Sequence, residues 1–192
     1  LHGGTWGVVG LGRIGRETVP MARGLDMDVV AHDPYLAEDV FERFEVASVS
    51  FDGLLARADC VSVHAPLTDV THHLFSTDAF ARMKDSAVLV NAARGPIVDE
   101  VALVEAVESG EMRAAALDVF EEEPPDGSPV LECDRVVCSP HRGGHTSAAE
   151  ERVVEVATAE LERALRGEPL HNVVNPEVYQ YRGGPVTDPD AG

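Results

Sequence analysis

A parallel β-sheet with helices on both faces is the fold class predicted for this chain of 192 residues. Two observations predict it. Apolar runs of strand length alternate with segments of helical spacing, the order that builds crossover connections and a parallel sheet. The first run is followed at once by a glycine-rich turn, GLGRIG, that leads into a helical pattern. The length suits one main domain, with room for a small second unit.

Residues 5–9 read as the first strand and 13–23 as the first helix, with Gly24 as its stop. Pro20 lies inside that helix, removes a backbone hydrogen bond and is expected to kink it. A second strand over 27–31 runs into His32, Asp33 and Pro34; a short third strand covers 47–49, and 51–58 reads as a small helix. Further strands are expected at 60–64, 87–90, 114–119 and 136–138. Between them, 77–83 and 99–108 carry helical spacing, the latter with Asp99 as N-cap and Gly110 beyond its end. A long final helix over 147–166 opens with Ser147 and Glu150 at the spacing of a capping box. The stretch after Gly167 is rich in Pro, Gly and Asp, and its last dozen residues are expected to be mobile.

The charge balance narrows the partners. Fifteen Lys and Arg stand against 34 Asp and Glu, a net charge of −19, and Lys84 is the only lysine. Such a surface repels nucleic acid and anionic membranes, so neither is an expected partner. It matches the surfaces of proteins from salt-rich cytoplasm; a high-GC genome would also deplete lysine, but would not by itself produce the acid excess. No apolar stretch is long enough to cross a bilayer and no secretory pattern opens the chain, so a cytoplasmic location is expected. Cys60, Cys133 and Cys138 are odd in number and lie in or beside apolar runs, which reads as buried thiols rather than a disulfide framework or metal site. His72 and His73 have no partner motif and read as ordinary surface residues.

Gly10, Gly12 and Gly15 follow a strand and open a helix. In that setting the backbone can turn tightly, approach a pyrophosphate and present the helix N-terminal amides to it. Three glycines fall into this spacing by chance often enough that the setting and Asp33 must carry the reading. Asp33 closes the second strand 18 residues beyond Gly15. There a carboxylate accepts hydrogen bonds from the adenosine ribose hydroxyls and repels a 2′-phosphate. The combination predicts a Rossmann-type doubly wound sheet that binds NAD rather than NADP.

Three segments at predicted strand ends hold the residue types that hydride transfer to a 2-oxo acid requires. NAARGPIVDE supplies a cation for the substrate carboxylate in Arg94, SPHRGGHT an acid in His141, and LDVFEEEP a carboxylate in Glu123. Each has a plainer reading: Arg94 as a surface cation, Glu123 as one member of a solvated acidic run. His141 and His145 have HxxxH spacing, which suits zinc on a helix, but Gly143 and Gly144 between them favour a loop and no metal site is expected. A short-chain dehydrogenase would place tyrosine four residues before its lysine; Phe80 stands there before Lys84, which excludes that class.

With GLGRIG, HAPLTDVTHHLF, MKDSAVLVNAARGPIVDE, ALDVFEEEP, SPHRGGHT and RGEPLHNVVNP in this order, the chain resembles the D-isomer-specific 2-hydroxyacid dehydrogenases over nearly its whole length. The resemblance implies that Arg94 binds the substrate carboxylate and carbonyl, that His141 is the general acid/base, and that Glu123 hydrogen-bonds His141. It sets Asp118 near the nicotinamide carboxamide. It places Arg13, Ile14, His64, Pro66, Leu67, Ala92, Ala93, Gly143 and Gly144 along the cofactor cleft, beside the glycines and Asp33. Residues 1–145 then form the NAD-binding domain, and 146–192 a return helix and tail toward a substrate domain whose N-terminal part is absent. The family usually dimerises through this domain, and NAARGPIVDE leans toward glyoxylate or hydroxypyruvate reductases over phosphoglycerate dehydrogenases. Arg142 departs from the family, which usually carries an apolar residue after the histidine. An NAD-binding module that turns nothing over is the competing expectation.

Overall fold

The computed structural model describes residues 2–177. The chain divides into two compact units, Leu1–Gly143 and Gly144–Gly192.

The first unit holds a seven-stranded parallel sheet. Its strands are β1 (Thr5–Val9), β2 (Asp28–His32), β3 (Ala47–Ser48), β4 (Cys60–Val63), β5 (Val88–Asn91), β6 (Ala114–Leu117) and β7 (Val136–Cys138). They lie in the order β3-β2-β1-β4-β5-β6-β7. The connecting helices are α1 (Arg13–Gly24), α2 (Glu38–Arg43), α3 (Phe51–Arg57), α4 (Thr77–Phe80) and α5 (Glu100–Ser109), with 3₁₀ turns at Gly95–Ile97 and Pro129–Glu132. Successive strand residues face opposite layers. Val8 and Ala31 pack with Val19 of α1 and Phe41 of α2, whereas Val9 and Val30 join a larger cluster with Leu54 and Leu55 of α3 and Leu103 of α5. Burying each such side chain is worth about 1.5–3 kcal/mol.

The strand ends matter most for the site. His32, Val9, Val63, Asn91, Leu117 and Cys138 are partners across neighbouring strands, so six strands finish in one row. The next residue is still held by its neighbour's backbone: Gly10 N donates to His32 O at 2.9 Å, His64 N to Val9 O at 2.7 Å, Asp118 N to Asn91 O at 2.9 Å and Ser139 N to Leu117 O at 2.9 Å. Between β1 and β4 the chain order reverses, opening a crevice outside the carboxyl ends of the strands.

Several local expectations shift. The first helix runs through Pro20 to Gly24, although Pro20 lacks the N–H that would reach Arg16. Strands β2 and β5 lie one residue later than their apolar runs, β6 ends at Leu117, and α4 stops at Phe80. Helix α2 has no sequence signal of useful length, since only Phe41 in it is buried. Asp99 caps α5 as expected, its side chain accepting from Ala102 N, and Gly110 follows with φ +86°. The cysteines are free, but only Cys60 and Cys133 are buried; Cys138 is partly exposed.

In the second unit α6 spans Ser147–Arg166 and ends at Gly167 in the left-handed region. Its N-cap is Thr146 rather than a Ser147–Glu150 box, the Thr146 hydroxyl accepting from Ala149 N at 3.1 Å. The final dozen residues, expected to be mobile, lie outside the described residues.

Candidate functional site

At the β1 end, Gly10 turns with φ +90°, and a Cβ there would stand 2.7 Å from Ala65 N. On Gly15 a Cβ would fall 2.2 Å from the Gly10 carbonyl oxygen. Both must lack side chains for α1 to begin directly against the strand end. Gly12, the N-cap of α1, faces open space; no side chain caps the first turn and no acidic residue lies in it. The amide end of a twelve-residue helix, starting with Arg13 and an Ile14 that is 72% exposed, is therefore left for an external anion. Asp33 Oδ2 accepts from Leu11 N at 3.0 Å and Oδ1 from Tyr35 N at 3.1 Å. These bonds fix the carboxylate on a cavity of about 340 Å³ whose walls include Gly10, Tyr35, Ala65 and Pro66. The residues present thus fit a dinucleotide: an open, uncapped helix end beside a held carboxylate and an apolar hollow.

His64 follows β4, with Leu67 exposed in the loop beyond it. Burial pushes the His64 pKa below the ordinary histidine value. Its Nε2 lies 3.1 Å from Ser62 Oγ, which accepts the Trp6 indole N–H at 2.7 Å. An indole N–H only donates, so Ser62 Oγ accepts from Trp6 and keeps its hydroxyl hydrogen and a second lone pair for His64 Nε2.

Arg94 stands three residues past β5, after Ala92 and Ala93. The turn is set by Asn91, a buried side chain whose Nδ2 donates to Arg94 O at 2.9 Å while its Oδ1 accepts from Ala93 N at 3.0 Å. The exposed guanidinium turns back, Nη1 donating to Ala93 O at 2.6 Å.

His141 and Glu123 meet, Nδ1 standing 2.8 Å from Oε2. A carboxylate only accepts, so Nδ1 carries the hydrogen and Nε2 remains to exchange a proton. The hydrogen bond from His141 is the largest cause holding the Glu123 pKa below the usual glutamate value; the Phe120 amide, at 3.2 Å from Oε1, adds to it. A cavity of about 390 Å³, walled mainly by apolar side chains such as Phe120, Leu131 and Cys138, adjoins the pair. His141 itself has φ +51°, a left-handed backbone unusual outside glycine.

Asp118 holds that loop in place. Its Oδ1 accepts the Ser139 hydroxyl at 2.5 Å and Arg142 N at 2.9 Å, and its Oδ2 accepts Gly143 N at 2.7 Å. Burial alone would raise the Asp118 pKa, but these three donors and the nearby His141 outweigh it, and the carboxyl lies below the usual aspartate value. Both oxygens of the residue expected beside the carboxamide are thus engaged by the histidine loop. Gly144 opens the second unit.

Sequence reasoning missed Asn91, Ser139 and Glu100, and misjudged His73. His73 is partly buried, its Nε2 lying 3.1 Å from Glu121 Oε1. An asparagine ending the apolar run VLVN was the one available signal; the others bond groups far along the chain.

The model of the NAD-binding domain of D-isomer specific 2-hydroxyacid dehydrogenases matches residues 1–143. The chain belongs to that family. It is 43% identical over 186 residues to a D-3-phosphoglycerate dehydrogenase of Methanocaldococcus jannaschii, a match covering 96% of this chain and 36% of that protein. It is equally 43% identical to a glyoxylate/hydroxypyruvate reductase B of an Enterobacter species, over 93% of this chain and 56% of the reductase. The crystal structure of Lactobacillus jensenii D-lactate dehydrogenase with NAD⁺ superposes with a TM-score of 0.82 at 30% identity, covering 89% of this chain and 55% of that one. The chain thus spans about a third to about half the length of these family members. Overall identity does not separate the two curated classes, which are equally similar to the chain. The cofactor of this dehydrogenase domain is NAD.

Proposed function

We propose that the protein reduces a small 2-oxo acid to its D-2-hydroxy acid, reversibly, as an NAD-dependent dehydrogenase. The carrying observation is the His141–Glu123 pair, which leaves Nε2 free at a strand-end row that also bears Arg94 and the glycine turn. Bound NADH supplies the hydride to the carbonyl carbon. The amides opening α1, with Gly10, Gly12 and Gly15, receive the pyrophosphate, and Asp33 binds the ribose hydroxyls and rejects a 2′-phosphate. His64, Pro66, Leu67, Ala92 and Ala93 line the cleft between these groups and the acid. The Arg94 guanidinium binds the substrate carboxylate and orients the carbonyl. His141 Nε2–H gives the proton to the carbonyl oxygen, and the Glu123 carboxylate stabilises the imidazolium while it waits to do so. Asp118 and Gly143 act with the loop that aims His141.

The excess of negative charge favours small-molecule partners over nucleic acid or membranes and suits a cytoplasmic setting; that the full-length protein is a homodimer rests on the family resemblance alone. No helix among the described residues is long and apolar enough to cross a membrane, and no cluster there could hold a metal ion. The share of the relatives that the chain spans favours one further reading, a cofactor module that needs an added substrate domain to turn over. The deciding experiment is NADH oxidation, in low and molar salt, against glyoxylate, hydroxypyruvate, pyruvate and phosphohydroxypyruvate, with NADH binding followed by energy transfer from Trp6. Turnover that His141→Ala abolishes while NADH binding persists supports the enzyme. Binding without turnover supports the module, and equal loss of both in the variant refutes His141 as the acid.

A further inference from the structure

Three loops meet at a junction of motif residues to which the sequence assigned no role. Glu100, the first residue of α5, is only 5% exposed. Its Oε1 accepts Glu121 N–H at 2.7 Å, and its other oxygen accepts the Ser128 hydroxyl. Glu121 reciprocates, its Oε1 accepting Glu100 N–H at 2.9 Å with His73 Nε2 at 3.1 Å. The backbone N–H of His73, a residue with φ +49°, donates to Pro96 O at 2.8 Å. A Cβ on Gly95 would lie 1.8 Å from Phe120 O, so the backbone after Arg94 rests on the backbone before Glu123.

Two facing carboxylates are an expensive way to join loops. An apolar pair of similar volume would close the same gap without the repulsion or the desolvation. What the carboxylates add is direction, since their oxygens fix two particular amides, a hydroxyl and an imidazole. Glu121 stands two residues before Glu123, and the Phe120 amide that Glu123 Oε1 accepts belongs to the same short turn. At the other end Glu100 stands six residues after Arg94, whose turn Asn91 already fixes.

Building on the dehydrogenase reading, we propose that Glu100 and Glu121 are positioning residues of the active site. By exchanging carboxylate-to-amide hydrogen bonds they set the Glu123–His141 pair against Arg94. The acid and the carboxylate-binding cation come from separate loops, and this exchange makes those loops move as one body.

The test follows the Glu123 carboxyl by ¹³C NMR titration in the 192-residue chain, with NADH affinity at the distant Asp33 end as the check on folding. In Glu100→Ala and in Glu121→Ala the Glu123 midpoint rises toward its ordinary 4.5, because the turn no longer holds it against His141. The double variant rises no further than either single one. A purely electrostatic role gives the opposite sign, since removing a neighbouring negative charge lowers the midpoint. Glu100→Gln and Glu121→Gln remove the same charge but keep a carbonyl acceptor, so they retain the low midpoint. In a form that turns over, the alanine variants lose about 10²-fold in kcat with KM for NADH unchanged. Absence of turnover in the unaltered protein sinks the dehydrogenase reading alone and leaves the titration to judge the junction. Alanine variants that bind NADH normally and keep the Glu123 midpoint low overturn the proposal. If Glu100→Ala does not fold, the same titration of Glu121→Ala, at its more exposed position, decides between these outcomes.

Discussion

Replacing Asp118 by asparagine changes one atom in a clamp of three hydrogen bonds. The carboxylate receives the Ser139 hydroxyl and Arg142 N–H on Oδ1 and Gly143 N–H on Oδ2. A carboxamide has one oxygen. With that oxygen kept at the Oδ1 position, its NH₂ stands 2.7 Å from the Gly143 N–H, which it cannot accept. A hydrogen bond to a charged group is worth about 1.5–3 kcal/mol, and partial exposure of this loop places the loss near the lower end, about 2 kcal/mol. Against that stands the backbone of His141 at φ +51°. A non-glycine residue pays about 1–2 kcal/mol to remain there. Losing one arm therefore consumes the margin that keeps the histidine in its turn, and the loop opens while the sheet stays folded. Native-state hydrogen exchange reads this directly. Protection of the Arg142 and Gly143 amides should fall about 30-fold, the equivalent of 2 kcal/mol, with β1 and β4 amides unaffected. Unchanged exchange at both amides would refute the clamp.

Gly15→Ala forces a Cβ to 2.2 Å from the Gly10 oxygen, so helix and turn must part; NADH affinity measured by Trp6 energy transfer drops at least tenfold, while the Glu123 titration is unmoved. Asp33→Ala removes the carboxylate proposed to bind the ribose hydroxyls and is expected to narrow the preference for NADH over NADPH; an unaltered preference in parallel titrations would exclude that role. Glu123 has a lowered folded pKa, so its contribution to stability is complete above the ordinary 4.5 and disappears as pH falls through the lowered value. Thermal melts of the protein and of Glu123→Gln should accordingly differ at neutral pH and converge in acid; a gap that is constant with pH would contradict the linkage.

The layer order and the glycine turn were legible because both are carried by neighbours in sequence: strand-length apolar runs, helical spacing, and a turn of six residues. Glu123 was legible only through likeness to a family, since nothing intrinsic separates it from Glu121 and Glu122 in the same acidic run. Glu100 and Glu121 were opaque for a different reason. Their partners are backbone amides 21 residues away, and an amide leaves no mark in a sequence. His73 misled in the same way, because its value lies in a carboxylate on another loop. Strand limits slipped by a residue where the last pairing residue is polar, as with His32 and Asn91, which apolar patterning leaves out.

The common finishing line of the strands makes the sheet a ruler for chemistry. A slip of one residue in β6 alone would carry Asp118 about 3.3 Å along the strand and turn its side chain to the opposite layer. The loops above can change length and composition freely, as loops do, but their first residues cannot drift, because Gly10, His64, Asp118 and Ser139 are each tied to the last carbonyl of the adjoining strand. Variation in substrate can thus be written into the loops without recalibrating the distance between cofactor and acid.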